Sequence, residues 1–435
     1  MNDTICAIAT PLGSGGIGIV RVSGPDVIRI AREIFGRCPN PRIAEFGDFL
    51  DAKGECIDSG IALYFPKPKS FTGEDVLELQ GHGGRVVQEL VCERVRELGA
   101  RLARAGEFTE RAFLEGRLDL AQAEAVADLI SASSAQAARA SARSLSGEFS
   151  REVLAIDREV LELRTYIEGA IDFAEEEIDF LDDKALIQRA SIAEQRLQTL
   201  LRRTELGAAM KNGLRVVIAG SPNVGKSSLL NALLNEDRAI VTDIAGTTRD
   251  TLDATINLDG VPIHLIDTAG LHQSDDPIEE AGIRRTRMAM EQADLTLWVV
   301  DDRAASNADE APNCKHLIVR NKCDLSERPP GVLDEGAVRV SALYQKGLST
   351  IRDFLMESAG FQVTDDAFAG RPRHIKSLTC ALEALQRAIS SLESKSGEVV
   401  AEDLREVHKY LGDVVGETTT DELLGEIFSR FCIGK

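Results

Sequence analysis

Gly220-Ser221-Pro222-Asn223-Val224-Gly225-Lys226-Ser227 satisfies the pattern GxxxxGK[ST] in full. The apolar run Leu214–Ala219 precedes it and the run Ser228–Leu234 follows, so the pattern sits between an expected strand and an expected helix. Glycines at both ends let backbone N–H groups turn inward around a phosphate chain. Lys226 brings a cation to the terminal phosphates, and the Ser227 hydroxyl can ligate Mg²⁺. Further strands are expected at 215–220, 262–267, 295–301, 316–320 and 337–341, with helical runs between them. That alternation predicts an α/β domain over 212–362 with a parallel sheet and crossover helices.

The remaining nucleotide motifs stand in order along this domain. Asn321-Lys322-Cys323-Asp324 follows an expected strand, and its carboxylate can accept N1–H and the 2-amino group of guanine, a donor pair that adenine lacks. Ser341-Ala342 follows the next strand and offers backbone N–H to guanine O6. Asp267-Thr268-Ala269-Gly270 supplies a carboxylate for Mg²⁺ and an amide for a γ-phosphate, and Gly246-Thr247-Thr248-Arg249-Asp250 supplies hydroxyls. The segments around these two motifs are candidate switch loops. Leu271 stands where many GTPases place a water-orienting Gln, so hydrolysis needs another group; the acidic stretch Asp275–Glu280 offers one, although such a run is commonly just a solvated loop.

Outward from this domain the pattern changes. Residues 1–118 mix strand alternation (Ile5, Ala7, Ala9; Ile17, Ile19, Arg21) with helical spacing over Val86–Leu98, an α+β domain. Residues 119–211 and 363–435 read as helices. Asp119 and Gln122 form a capping-box pattern, and Leu378, Leu382, Leu385, Ile389 and Leu392 make a narrow apolar seam. An α/β domain between two helical stretches suggests insertion into one helical domain.

Composition limits the alternatives. The chain has 435 residues, 43% hydrophobic and 28% charged, which excludes a largely disordered protein and calls for several cores. No apolar run approaches a membrane span, and the first residues do not read as a secretory signal, so a cytoplasmic protein without membrane contact is expected. Eight cysteines without a CxxC fit a reducing compartment and no structural zinc. The net charge is −21 and no segment is basic, so any nucleic-acid contact must come from a local patch or a partner.

Two further stretches bear on function. Gly13-Ser14-Gly15-Gly16-Ile17-Gly18 matches GxGxxG, but a strand is expected after it, so a glycine turn between strands is the better reading. In Phe71-Thr-Gly-Glu-Asp-Val-Leu-Glu-Leu-Gln-Gly-His-Gly-Gly84, strand alternation puts Leu77 and Leu79 on one face and Val76, Glu78 and Gln80 on the other. Glu78 can pair with an amino-pyrimidine edge, although an exposed strand face explains the same residues.

Together these motifs, with AGEFTERAF, LDLAQAEA and the terminal FCIGK, resemble the MnmE (TrmE) family of tRNA modification GTPases over the full length. The resemblance implies a homodimer with an N-terminal folate-binding domain (1–118), a helical domain in two parts (119–211 and 363–435) and an inserted P-loop, Ras-like G domain (212–362). It implies a heterocomplex with the FAD- and NADH-using partner MnmG (GidA). Together they would place aminomethyl or carboxymethylaminomethyl groups on C5 of the wobble uridine of certain tRNAs. The one-carbon donor would be a 5-formyl- or methylene-tetrahydrofolate. Carried over by motif, Arg21, Glu78, Lys435 and Arg117 (a Lys in other members) would bind the folate. The GTP site would comprise Asn223, Val224, Gly225, Lys226, Ser227, Ser228, Thr242, Asp243, Ile244, Ala245, Gly246, Thr247, Thr248, Asp267, Thr268, Ala269, Gly270, Asn321, Lys322, Asp324, Ser341 and Ala342. Mg²⁺ would be held by Ser227 and Thr248, and K⁺ by Asn223, Thr242, Ile244 and Thr247. Glu279 would organise water in place of a Gln, and Cys432 would act in the modification chemistry. A GTP-switched RNA or ribosome assembly factor, without group transfer, is the alternative from another class, and a stand-alone regulatory GTPase is a third reading.

Overall fold

The computed structural model of the chain describes residues 3–11, 13–172, 184–236, 253–258, 261–267, 290, 293–304, 314–333, 336–358, 366–393, 397–417, 421–429, 431 and 434. They fall into two compact units. The first comprises Met1–Ala127, Arg143–Gln198 and Lys376–Lys435, and the second Asp128–Ala142 and Thr199–Ile375.

In the first unit, β1 (Ile5–Ile8), β2 (Gly15–Ser23), β3 (Glu45–Leu50), β4 (Cys56–Phe65), β5 (Val76–Gly83) and β6 (Arg101–Leu102) form one sheet in the order β3-β4-β5-β2-β1-β6. The GxGxxG match opens β2, which runs back antiparallel to β1, so these glycines join strands and open no helix. Helices Val27–Phe35 and Arg85–Glu97 cover one face. Val20, Val22, Leu77, Leu79 and Ala62 meet Ile30, Ile34, Val91 and Val95 there in one buried cluster. The buried side of Arg85–Glu97 is Gln88, Val91, Cys92 and Val95, whereas Val86 and Leu90 face outward, so that part of the expected apolar stripe is a surface.

The opposite face of the sheet is covered by the segment after β6. Phe108, in the helix Glu107–Leu114, packs with Ile5, Ala7 and Ala103. Two ionised groups inside this layer set its position. Arg111 is 1% exposed; it donates to the Asp3 carbonyl at 2.9 Å, to both Glu74 oxygens at 3.0 and 3.1 Å and to Glu107 at 3.2 Å. Glu107 is fully buried and also accepts from Arg101 and from the Arg104 amide. Burial pushes its carboxyl up, but the hydrogen bonds from Arg101, the Arg104 amide and Arg111 outweigh that and hold it at about 2.

The helices of this unit pack along heptad stripes. Phe149, Val153, Ile156, Val160, Leu163 and Ile167 of Glu148–Asp172 are buried, as are Val400, Leu404, Val407, Leu411 and Val414 of Gly397–Val415. His408 Nδ1 meets Asp157 Oδ1 at 2.7 Å between them. The capping box is present: the Asp119 amide donates to Gln122 at 3.0 Å and the Gln122 amide to Asp119 at 2.8 Å, opening Leu120–Ile130. In Pro372–Glu393 the deepest positions are Leu378, Ala381, Ala384, Leu385, Ala388 and Leu392; Leu382 and Ile389 lie at the edge of the buried stripe rather than on it.

In the second unit, β7 (Leu214–Ala219), β8 (Asp253–Leu258), β9 (Val261–Asp267), β10 (Leu295–Asp301), β11 (His316–Asn321), β12 (Gly331–Leu333) and β13 (Ala337–Arg339) form a sheet ordered β12-β13-β11-β10-β7-β9-β8. All five expected strands are present, and β7, β9, β10, β11 and β13 run parallel. The sheet is nonetheless mixed, because β8 and β12 add antiparallel strands at its two edges. Both edge strands pair with a sequence neighbour, which needs no crossover helix. Asp128, 3% exposed, binds Lys211 at 2.6 Å and Arg371 at 2.7 Å, so the chain before β7 is tied to the chain after the last helix of this domain.

Arg111→Met leaves Glu107 and Glu74 without their shared cation. It is expected to cost about 3–5 kcal/mol of folding free energy, read as a shift in urea midpoint. In the wild type, the depressed Glu107 value gives a contribution complete above about pH 4.3, the value for an unfolded Glu, and lost as pH falls towards 2. Arg111→Met keeps Arg101 and the Arg104 amide on Glu107, so acid titration should show both proteins losing stability across that window, the variant from a lower starting point.

Candidate nucleotide and pterin sites

The P-loop begins where β7 ends and closes on the helix Lys226–Glu236. Gly220 and Gly225 have φ of +144° and +97°. A Cβ at Gly220 would collide with the Val299 carbonyl and one at Gly225 with the Asn321 side chain, so both places demand glycine. The cradle these two glycines leave is the shape a phosphate chain requires. Lys226 is 6% exposed, with Nζ donating to the Gly220 and Ser221 carbonyls at 2.9 and 3.0 Å, inside the loop. Ser227 and Ser228 stand exposed on the first helical turn.

Asn321 organises the base side. Its Nδ2 donates to the Val224 carbonyl at 3.0 Å, and its Oδ1 accepts from the Ala342 amide at 3.0 Å. Lys322, with φ of +67°, reaches back so that Nζ donates to the Asn223 carbonyl at 2.6 Å. Two successive P-loop carbonyls are thus held by the last residue of β11 and the one that follows it. Asp324 accepts the Ser341 hydroxyl at 2.5 Å, which fixes its carboxylate. The sequence reading offered the Ser341 and Ala342 amides to guanine O6. In the structure the Ala342 amide serves Asn321 and the Ser341 amide serves the Lys346 carbonyl, because the loop closes on itself.

Asn223 lies exposed with φ of +62°. Asp267 is placed by its backbone, paired with Ile218 at the end of β9. Thr242, Asp243, Ile244, Ala245, Gly246, Thr247, Thr248, Thr268, Ala269, Gly270 and Glu279 lie outside the described residues, as do Cys432 and Lys435.

The second site lies on the sheet face opposite helices Val27–Phe35 and Arg85–Glu97. Register pairs Arg21 of β2 with Glu78 of β5, and their side chains meet at 2.8–2.9 Å. They are only 18% and 15% exposed, so this is no open strand face. Val76 is buried as well, although alternation grouped it with Glu78 and Gln80 on the free side. Gln80 donates to Glu78 at 3.3 Å. The Arg21 guanidinium lies 5.9 Å from the Phe71 ring and 5.8 Å from that of Phe108, an apolar frame with one ion pair in it.

Gly434 arrives here. Arg21 Nη1 donates to the Gly434 carbonyl at 3.4 Å. Gly434 has φ of +99°, and a Cβ there would press on the Ile8 carbonyl. Phe431 anchors the approach against Phe428, with ring centroids 5.4 Å apart. Arg117 is exposed, and its stem borders Gly73, two residues beyond Phe71. Sequence reasoning missed Phe71 and Phe108 as the frame of this site, although both lie inside stretches already marked as motifs. Among the described residues no three His, Cys, Asp or Glu side chains gather as a metal cluster, and no helix is long and apolar enough to cross a membrane.

The family models match both regions. The model described as "GTP-binding protein TrmE N-terminus" covers residues 4–117, and that described as "MnmE helical domain" covers residues 120–432. A protein of Pseudomonas paraeruginosa named tRNA modification GTPase MnmE is 51% identical over 452 residues, which span 100% of this chain and 99% of the relative. One of the same name from Pasteurella multocida is 48% identical over 452 residues, spanning 100% of both. Among solved structures, the cytosolic domain of the T. maritima FeoB iron transporter in its GMPPNP form aligns with 48% of this chain and 100% of its own, at 20% identity and a TM-score of 0.26. With two family models matching in succession and full-length relatives 48–51% identical, the chain belongs to the MnmE (TrmE) family of tRNA modification GTPases.

Proposed function

We propose that this protein is a K⁺-stimulated GTPase that, with an MnmG partner, modifies C5 of the wobble uridine of certain tRNAs. A tetrahydrofolate derivative is the donor, and FAD and NADH enter through the partner. The observation that carries the reading is the meeting of Arg21, Glu78 and Gly434. Strands β2 and β5 supply an ion pair in an aromatic frame, and Gly434 closes on it. Lys435 directly follows Gly434 in the chain and Cys432 precedes it by two residues, which supports a reactive thiol and an ammonium acting at the same site as the pterin.

In this reading Glu78 accepts two N–H groups of the pterin while Arg21 holds its carboxylate in place. Lys435 and Arg117 pair with the anionic end. When bound, the tetrahydrofolate supplies a one-carbon unit at the level the modification requires. Phe71 and Phe108 exclude water from the ring. Cys432 supplies a thiol whose nucleophilicity depends on its thiolate fraction.

The G domain works separately. Gly220 and Gly225 leave room for the phosphates, Lys226 meets their charge, and Ser227 and Thr248 hold Mg²⁺. Asn223, by its side chain, and the Thr242, Ile244 and Thr247 carbonyls would hold K⁺, which when bound would supply positive charge to the phosphate side of the site. Glu279 orients the water that Leu271 cannot. The matches at 4–117 and 120–432 support a helical domain, 119–211 with 363–435, into which the G domain 212–362 is inserted. The functional form is a homodimer in the cytoplasm.

Three measurements test this. Asp324→Asn replaces an acceptor by a donor, so GTP affinity should fall at least about 100-fold, two lost hydrogen bonds to a charged group, while xanthosine triphosphate gains; equal GTP affinity rejects the guanine assignment. GTP turnover should be at least about tenfold faster in KCl than in NaCl, with Asn223→Ala removing the difference; equal rates in both salts reject the K⁺ site. Glu78→Ala should abolish binding of 5-formyl-tetrahydrofolate to the full chain by calorimetry. Cells carrying only that variant should lack modified wobble uridine on nucleoside analysis. A wild-type chain that hydrolyses GTP but does not bind the folate would favour the assembly-factor reading.

A further inference from the structure

Asp301 ends β10 and belongs to none of the nucleotide motifs. Its carboxylate, 18% exposed, sits between two cations. Oδ1 accepts from Arg303 Nε at 3.0 Å and from the Arg303 amide at 3.1 Å. Oδ2 accepts from Arg303 Nη2 at 2.8 Å and from Lys322 Nζ at 3.1 Å. The same Nζ donates to the Asn223 carbonyl at 2.6 Å. A chain of contacts therefore runs from the end of β10 to the middle of the P-loop.

The two backbones joined at its far end are both unusual. Asn223 and Lys322 have φ of +62° and +67°, left-handed conformations that are strained for a non-glycine residue. Such turns persist only where surrounding contacts hold them. Lys322 is a flexible four-carbon stem with many rotamers to lose, and its ammonium prefers water. A single neutral carbonyl is a weak hold on such a group. The carboxylate of Asp301, itself fixed by a two-pronged contact from Arg303, supplies the charge that keeps Nζ in place.

We propose that Asp301 is a positioning residue of the nucleotide site: through Lys322 it holds the Asn223 carbonyl, and with it the P-loop turn, in the form that receives the phosphate chain. The proposal rests on the reading of this loop as a GTP site. It also makes a prediction opposite in sign to simple electrostatics. Asp301 is a negative charge beside a site for a polyanion, so removing it should tighten nucleotide binding by Coulomb attraction alone. A positioning role makes the same change weaken binding.

The test is a double-mutant cycle on the full chain, read by equilibrium binding and dissociation of a fluorescent GDP analogue. Asp301→Asn should weaken GDP about tenfold, and raise KM for GTP by more than it lowers kcat. In a Lys322→Met background the same change should alter affinity by less than about twofold, because the link is already cut. Unchanged or tighter binding by Asp301→Asn overturns the proposal. So does an equal loss in both backgrounds, which would mean that Asp301 acts by another route. Failure of the wild-type chain to bind any guanine nucleotide would instead remove the underlying site assignment. Should Asp301→Asn not fold, judged by melting of the nucleotide-free protein, Asp301→Glu takes its place in the cycle and the same outcomes decide.

Discussion

A buried guanidinium is the constraint on which the first unit turns. Arg111 has almost no solvent contact, so its charge must be met by protein groups or it would cost several kcal/mol. Asp3, Glu74 and Glu107 meet it, and they come from the start of β1, the approach to β5 and the helix that carries Arg111 itself. Satisfying one cation therefore fixes how the segment after β6 lies on the sheet. That segment brings Phe108 over Arg21 and turns what would be an open strand face into a site. Apolar burial of Ile5, Ala7 and Ala103 adds stability without direction, whereas the ionic contacts allow one arrangement.

The second unit solves a similar problem with one amide and one ammonium. A P-loop has to keep its amides free for a ligand, so its own carbonyls need partners elsewhere. Asn321 and Lys322 supply them at Val224 and Asn223, and the other arm of Asn321 holds Ala342. The base side and the phosphate side of the site are thereby one hydrogen-bonded object. Glycine at 220 and 225 follows from the same closeness, since β10 and Asn321 come too near for any side chain.

Much of this was legible in sequence because it is periodic or local. The five parallel strands, the capping box at Asp119 and the P-loop are written in spacing, and the positive φ at 220 and 225 goes with the glycines of the motif. The edge strands β8 and β12 were not legible, because the pairing of each is decided by which edge is free. The same holds for Val86 and Leu90: helical spacing says that they share a face with each other, not that the face is buried.

By itself, then, the sequence determined the fold class, the family and the nature of the nucleotide loop, since these rest on residue types at fixed short spacings. Tertiary structure alone decided that Glu78 has Arg21 as its partner, that Phe71 and Phe108 frame the pair, and that residue 434 closes on it. It also decided that the Ala342 amide turns to Asn321 and not outward. The physical reason is range. A turn or an amphipathic helix is selected by neighbours within about four residues, whereas a site built across 413 positions of separation depends on sheet register and on where buried charges find partners.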